Sequence, residues 1–243
     1  MQLPARQRAA RPRPAAGAAE PGALLPRLLL LDFDRTLADL GSHVRWDDCR
    51  RDLVDWYGRS GVPAAALGPG AISLYARMAV SADLSPPRRE AAQRGAASIL
   101  ERYEREGMEP ARLLPGVGEA LKGLRRSGLL AAVVSSNSRA IVGEVLGRER
   151  VRHLFGAVVG REDVQRPKPA PDGLLLACRR LGGAPEEALF AGDNVADMAA
   201  ARAAGMPAVG VLGGDSGGEA LREAGARAVL PGVPALLARL LAP

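Results

Sequence analysis

Short, wholly apolar runs recur along this chain, each followed by a helical pattern, and this alternation constrains the fold more than any other feature. Leu28–Leu31 is a continuous apolar run of the kind needed by a strand buried on both faces. Leu129–Val134, Ala157–Val159, Ala188–Ala191 and Ala208–Leu212 are further runs, and Ala228–Leu230 is a candidate sixth strand. Between them, Val117, Ala120, Leu121 and Leu124 share one face of a helix over Val117–Arg126. Asp172–Leu181 and Val195–Ala204 read the same way, with Gly182 and Gly205 where helices stop. Strand–helix alternation predicts an α/β chain: a doubly wound, parallel, Rossmann-like sheet with helices on both faces.

One interval breaks the alternation. Residues 38–110 contain no strand-like run and read as helices near Trp46–Tyr57, Ala71–Met78 and Arg88–Arg105. The sequence therefore divides into an α/β core over 27–37 and 111–243 and an inserted helical cap over 38–110. Insertions at the carboxyl ends of strands in such sheets stand over the ligand-binding edge. The last helix carries Glu101, Arg102, Glu104, Arg105 and Glu106, with opposite-sign pairs four apart, and the run reads as a solvated face.

Composition narrows the function classes. With 243 residues, the chain has room for one large domain or a core with a small insert. No apolar run approaches the roughly 20 residues that a membrane helix needs. Cys49 and Cys178 lack metal-ligand or disulfide-scaffold spacing, so a reduced, cytoplasmic setting is expected. The net charge of +6 suggests nucleic acid, but Arg6, Arg8, Arg11, Arg13 and Arg27 against Glu20 supply +4 of it before residue 28. Residues 1–26, rich in Ala, Pro and Arg, read as a disordered leader, and no specific nucleic-acid partner is expected.

The chemistry lies where the strands end. Asp32 and Asp34 follow the first run, two apart, and like charges so close call for a cation or a shared proton. Ser135, Ser136, Asn137 and Ser138 follow the second and could receive an anion or cap a helix. Lys168 is held between Pro167 and Pro169, and the only other lysine in this Arg-rich chain is Lys122. Gly192, Asp193 and Asn194 follow the fourth run, with Asp197 one helical turn on. Asp193 suits a hard cation such as Mg²⁺.

In this order, Asp-x-Asp-x-Thr, a strand-ending Ser, Lys-Pro-x-Pro and Gly-Asp-x-x-x-Asp resemble the motifs of the haloacid dehalogenase-like (HAD) hydrolase superfamily. The similarity is to its phosphoglycolate phosphatase-like branch and runs over about residues 27–241. The resemblance implies strand order 5-4-1-2-3 and a Mg²⁺-dependent phosphatase acting on a small phosphorylated metabolite through an aspartyl-phosphate. It implies Asp32 as nucleophile, Asp34 as general acid and then base, and Ser135 with Lys168 as the phosphate-binding pair. It also implies Asp32, the Asp34 backbone carbonyl and Asp193 as metal ligands, with Thr36, Asn194 and Asp197 in support. A phosphomutase of the β-phosphoglucomutase type and a non-catalytic binding protein on the same fold are the alternatives.

Arg35 stands where the family usually has Gly, which matters if φ there is positive. It is expected to point to solvent from a turn, the sharper reading being an extra anion contact. Asp34 counts against a true dehalogenase, whose pattern lacks the second acid. The absence of lysine from 38–110 counts against the phosphonate-cleaving branch. Gly214-Asp215-Ser216-Gly217-Gly218 spells a chymotrypsin-like nucleophile motif, but the strand–helix alternation excludes that fold, and it reads as a flexible loop. His43 reads as a solvated loop histidine; Trp46, Trp56 and Tyr57 as cap core; His153 and Cys178 as structural.

Overall fold

The computed structural model describes residues 26–62, 70–82 and 84–242, so all but the last residue of the expected leader lies outside the described residues. Six strands form one parallel sheet: β1 (Leu28–Leu31), β2 (Leu130–Val134), β3 (Ala157–Val159), β4 (Ala188–Gly192), β5 (Ala208–Val211) and β6 (Ala228–Leu230). Their order is β3-β2-β1-β4-β5-β6, which is the expected order extended at one edge by β6. The described α-helices are α1 (Trp46–Arg59), α2 (Ala71–Met78), α3 (Pro86–Met108), α4 (Val117–Lys122), α5 (Leu124–Ser127), α6 (Arg139–Arg148), α7 (Asp172–Leu181), α8 (Val195–Ala203), α9 (Gly218–Glu223) and α10 (Val233–Leu240). The single helix expected over Val117–Arg126 is instead two, divided at Gly123. None of the described helices is long and apolar enough to cross a membrane.

β1 is central, and its composition follows from that. Leu28 to Leu31 are each 0% exposed. Leu29 and Leu31 join a core with Ile141 of α6, Leu121 of α4 and Leu236 of α10. Leu28 and Leu30 join a second core with Leu174 of α7, Met198 of α8 and Leu221 of α9. Each leucine contributes about 1.5–3 kcal/mol on burial, and no position on the strand has a solvent side where a polar residue could stand.

Helices α1 to α3 occupy the interval between β1 and α4. Pro86 and Pro87 open α3, where a missing N–H costs nothing. Ala92, Ala96, Leu100 and Tyr103 form its buried stripe. The two connections to the sheet lie side by side: Ala38 bridges Leu113 antiparallel, and the Leu114 N–H donates to the Leu37 carbonyl at 2.8 Å. Arg148 at the end of α6 donates to the carbonyls of Met108 and Glu109, each at 3.1 Å, and of Ala111. The Ala111 N–H and the Arg112 side chain also donate to these carbonyls, so the end of α3 is tied down from two sides.

The charged run of α3 is not uniformly solvated. Glu101, Arg102, Arg105 and Glu106 are exposed or half-buried, but Glu104 is fully buried. It continues the spacing of Ala92, Ala96 and Leu100 at steps of four, on the face that packs inward.

Candidate active site

The strand ends assemble one cluster. Leu31 pairs with both Val133 and Ala191, so the residues after β1, β2 and β4 emerge at one level. The Asp32 N–H still donates to the Ala191 carbonyl at 2.8 Å, which holds this acid in line with the sheet. The chain then turns on the Phe33 carbonyl, which accepts from Leu37 and Ala38 at 2.8 and 3.0 Å. Arg35 sits at φ 57°, in the left-handed region that favours glycine. The Thr36 hydroxyl donates to Asp193 Oδ1 at 3.2 Å, joining the β1 loop to the β4 loop.

Asp34 takes its orientation from Gly41, whose N–H donates to Oδ1 at 2.7 Å. A Cβ at position 41 would stand 2.3 Å from Asp34 Oδ2, so only glycine allows this approach. Burial pushes the Asp34 carboxyl up to about 7. Burial also raises Asp32 to about 8, with Lys168 opposing and Asp197 and Asp193 reinforcing the shift. Asp193 rises to about 6, by burial first and the Asp197 carboxylate second.

Lys168 is the cation among these acids. Its Nζ pairs with Asp32 Oδ1, and with Asp197 Oδ1 at 2.6 Å, and donates to the Val134 carbonyl at 3.4 Å. Burial works against its charge, but the Asp197 and Asp32 carboxylates outweigh burial and raise its pKa. The other oxygen of Asp197 accepts from the Asn194 N–H at 3.0 Å, and Asn194 Oδ1 accepts from Ala196 N at 3.0 Å. This reciprocal cap starts α8 and fixes the carboxylate that holds Lys168.

The loop after β2 is arranged differently. Ser135 is buried, and its hydroxyl donates to Asn137 Oδ1 at 2.9 Å while accepting from the Asn137 N–H at 3.1 Å. Ser136 and Asn137 line the adjoining cavity, and Ser135 is not among the lining residues. The loop rests on a pair that the sequence reading missed. Glu104 and Arg161 are both 0% exposed, with Arg161 NH1 and NH2 on the two Glu104 oxygens at 2.7 and 2.6 Å.

The cavity has a volume of about 720 Å³. Asp32, Asp34, Lys168, Asp193 and Asp197 line it, and so do Ile72, Ala76 and Arg77 of α2 and Val80 just after it. Trp46 also lines it, with its indole N–H on the Gly41 carbonyl at 2.9 Å, so it is more than core packing. His43 lies outside it, against Asp39 Oδ2 at 3.3 Å. Arg35 lines it too, its Nε 3.9 Å from Asp215 Oδ1. Ser216 accepts from the Val195 N–H at 3.1 Å at the start of α8, so its loop is anchored to the site rather than free.

Asp32, Asp193 and Asp197 present oxygens within 4.8 Å of one another. An all-oxygen, buried donor set fits a hard divalent cation better than a thiophilic one. Both Asp197 oxygens are already engaged, whereas Asp32 and Asp193 keep capacity toward the cavity.

Comparison with known proteins agrees with this arrangement. Residues 64–211 match the model of the haloacid dehalogenase-like hydrolase family, a stretch containing Ser135, Lys168, Asp193 and Asp197 but not β1. Over 124 residues the chain is 39% identical to phosphoglycolate phosphatase of Escherichia coli K12, covering 51% of this chain and 49% of that one. The match to the enzyme of Salmonella typhimurium is 40% with the same coverage, so the aligned stretch spans about half the length of these relatives. Among solved structures, a hydrolase from Pseudomonas syringae superposes with a TM-score of 0.64 at 26% identity, covering 88% of this chain and 97% of that one. A HAD family hydrolase from Deinococcus radiodurans, solved with bound phosphate and sodium, gives 0.60 at 25% identity, covering 90% and 99%.

Proposed function

We propose, from the premise that this chain belongs to the haloacid dehalogenase-like hydrolase family, that it hydrolyses a small-molecule phosphate monoester through an aspartyl-phosphate, with Mg²⁺ as cofactor. One observation carries the reading: Asp32 and Asp34 after β1, Lys168 from the segment between β3 and α7, and Asp193 after β4 all line a single cavity. The relatives that are phosphatases, and the neighbour solved with phosphate, support it.

Asp32 is the nucleophile. A carboxylate oxygen forms a bond to phosphorus as the bond from phosphorus to the ester oxygen breaks. Asp34, protonated near neutral pH because burial raises it to about 7, gives its proton to the departing oxygen. The ionised Asp34 then takes a proton from water, whose oxygen attacks phosphorus, releases Asp32 as carboxylate and yields inorganic phosphate. Lys168 offsets the repulsion between the Asp32 carboxylate and an anionic phosphate. Asp197 holds Lys168 in place, and Thr36 holds Asp193 against the β1 loop.

The residues that would hold Mg²⁺ are Asp32, Asp193 and the Asp34 carbonyl. When bound, the ion supplies positive charge that keeps the nucleophile ionised and neutralises phosphoryl oxygens. Residues 38–110 act as the cap in this reading: α2 lines the same cavity as the acids, which favours a small metabolite over a phosphoprotein.

The test is phosphate release from a panel of phosphorylated metabolites, with and without Mg²⁺, alongside Asp32→Asn. Metal-dependent release that the substitution abolishes is the expected result. Equal release from both proteins would sink the nucleophile assignment. Consumption of substrate without phosphate release would favour transfer to a second hydroxyl, as in a mutase.

A further inference from the structure

The loop after β2 has one amide left over. The Ser135 N–H donates to the Val159 carbonyl at 2.9 Å, Asn137 N to Ser135 Oγ at 3.1 Å, Ser138 N to Glu104 Oε2 at 3.1 Å and Arg139 N to Glu162 Oε2 at 3.1 Å. Among the described residues no group accepts from the Ser136 N–H, and Ser136 lines the cavity beside Lys168. This N–H is left for a ligand to satisfy, and its direction is set by whatever fixes the peptides on either side.

Glu104 and Arg161 fix them. Glu104 Oε1 accepts from Asn137 Nδ2 at 2.9 Å and from Arg161 NH1 at 2.7 Å. Glu104 Oε2 accepts from Ser138 N at 3.1 Å and from Arg161 NH2 at 2.6 Å. Arg161 NH1 also donates to the Ser136 carbonyl at 3.0 Å, and the Arg161 backbone N–H to the Asn137 carbonyl at 3.1 Å. Three successive loop residues are thus held by one buried ion pair. Its acid comes from α3, and its guanidinium lies 5.9 Å from the Tyr75 ring of α2. A buried carboxylate accepting four hydrogen bonds, two of them bidentate from Arg, is a geometrically specific anchor.

We propose that Glu104 is a positioning residue for the phosphate-receiving loop. Through Asn137, Ser138 and Arg161 it sets the direction of the Ser136 N–H, and it makes the inserted helices part of the apparatus that receives phosphate. The inference rests on the phosphatase reading above, since it needs an anion to arrive at that loop.

The experiment compares the wild type with Glu104→Gln, with a double variant carrying Glu104→Met and Arg161→Met, and with Leu100→Ala, a buried α3 residue outside the loop contacts. Inorganic phosphate, as competitive inhibitor in the presence of Mg²⁺, is the probe. Amide exchange across 135–139, Mg²⁺ affinity and thermal midpoint are read alongside. The expected result for Glu104→Gln is at least tenfold weaker phosphate inhibition and at least tenfold faster loop exchange, with Mg²⁺ affinity within twofold.

The double variant is expected to recover thermal stability, because it removes both charges together, without recovering phosphate affinity. Leu100→Ala is expected to lower the midpoint and leave phosphate inhibition unchanged. Phosphate inhibition in Glu104→Gln within twofold of wild type overturns the inference. So does recovery of phosphate affinity together with stability in the double variant, the mark of a purely structural role. A wild type that neither hydrolyses any ester nor binds phosphate overturns the phosphatase reading and this inference with it, and it does so without any substitution.

Discussion

Gly214 faces Asp193 so closely that a Cβ at position 214 would stand 1.6 Å from Asp193 Oδ2. No rotation of a methyl group relieves such an overlap, so either the carboxylate or the loop after β5 must move. Gly214→Ala is therefore expected to displace Asp193 and weaken Mg²⁺ binding at least tenfold. Gly217→Ala, where a Cβ would meet nothing within 4 Å, is expected to bind Mg²⁺ as the wild type does. Calorimetric titration of both variants with Mg²⁺ checks this, and equal affinities would refute it.

Metal-free stability is expected to fall as pH rises from about 5 to 8. Asp193, Asp34 and Asp32 are raised to about 6, 7 and 8 from a usual 3.8, chiefly by burial. In that window the folded chain holds protons that the unfolded chain has released. Unfolding then becomes easier with each pH unit, by roughly 1.4 kcal/mol for each extra proton held. Mg²⁺ bound as proposed would replace those protons, so it should flatten the slope and release protons on binding. Urea denaturation at pH 5.5 and 8, in chelator and in Mg²⁺, is the measurement. A metal-free chain at least as stable at pH 8 would contradict the reading.

Lys168 separates two carboxylates that would otherwise repel. Lys168→Met is expected to lower kcat/KM by about 10²–10³, the scale on which loss of one aligned charge-stabilising donor is felt. Lys168→Arg keeps the charge, but the flat guanidinium needs more room than a side chain only 8% exposed between Asp32 and Asp197 allows. Its recovery should stay below tenfold. Steady-state kinetics on the best substrate of the panel decides, and full activity in Lys168→Arg would show that charge alone suffices.

Arg35 carries a backbone conformation that glycine would adopt without a Cβ penalty of roughly 1–2 kcal/mol. Arg35→Gly gives back part of this through the greater freedom of glycine in the unfolded chain. A net gain of about 0.5–1 kcal/mol is expected in chemical denaturation. A loss of stability would mean that the weak contact with Asp215 contributes more than its 3.9 Å separation suggests.

The acids and the lysine were legible in the sequence because a parallel sheet sends every strand end to one edge. A polar residue placed there needs no tertiary knowledge to be suspected. The sheet order became legible through family resemblance rather than through periodicity. Glu104 was not legible as a loop anchor, because it sits inside a charged run whose pairs four apart, Glu101 with Arg105 and Arg102 with Glu106, mark a solvated face. Its step of four beyond Leu100 and Ala96 was the available signal. Arg161 gave none, since its burial depends on a partner 57 positions away. Gly214 was hidden for a similar reason: its stretch resembles a protease motif, and its contact with Asp193 arises only when β4 and β5 lie side by side.

β1 is made before either of its partners: Leu28 pairs with Leu130 on one side and with Ala188 on the other. Four leucines therefore leave the ribosome with neither neighbour in existence, and the second arrives only after β2, β3 and α7 have been translated. Until then the strand is an unpaired apolar edge, the kind of segment that chaperones bind and aggregates recruit. The same delay keeps the site unassembled: Asp32 has no Lys168 and no Asp193 beside it until β4 docks, so a half-made chain carries the proposed nucleophile without its partners.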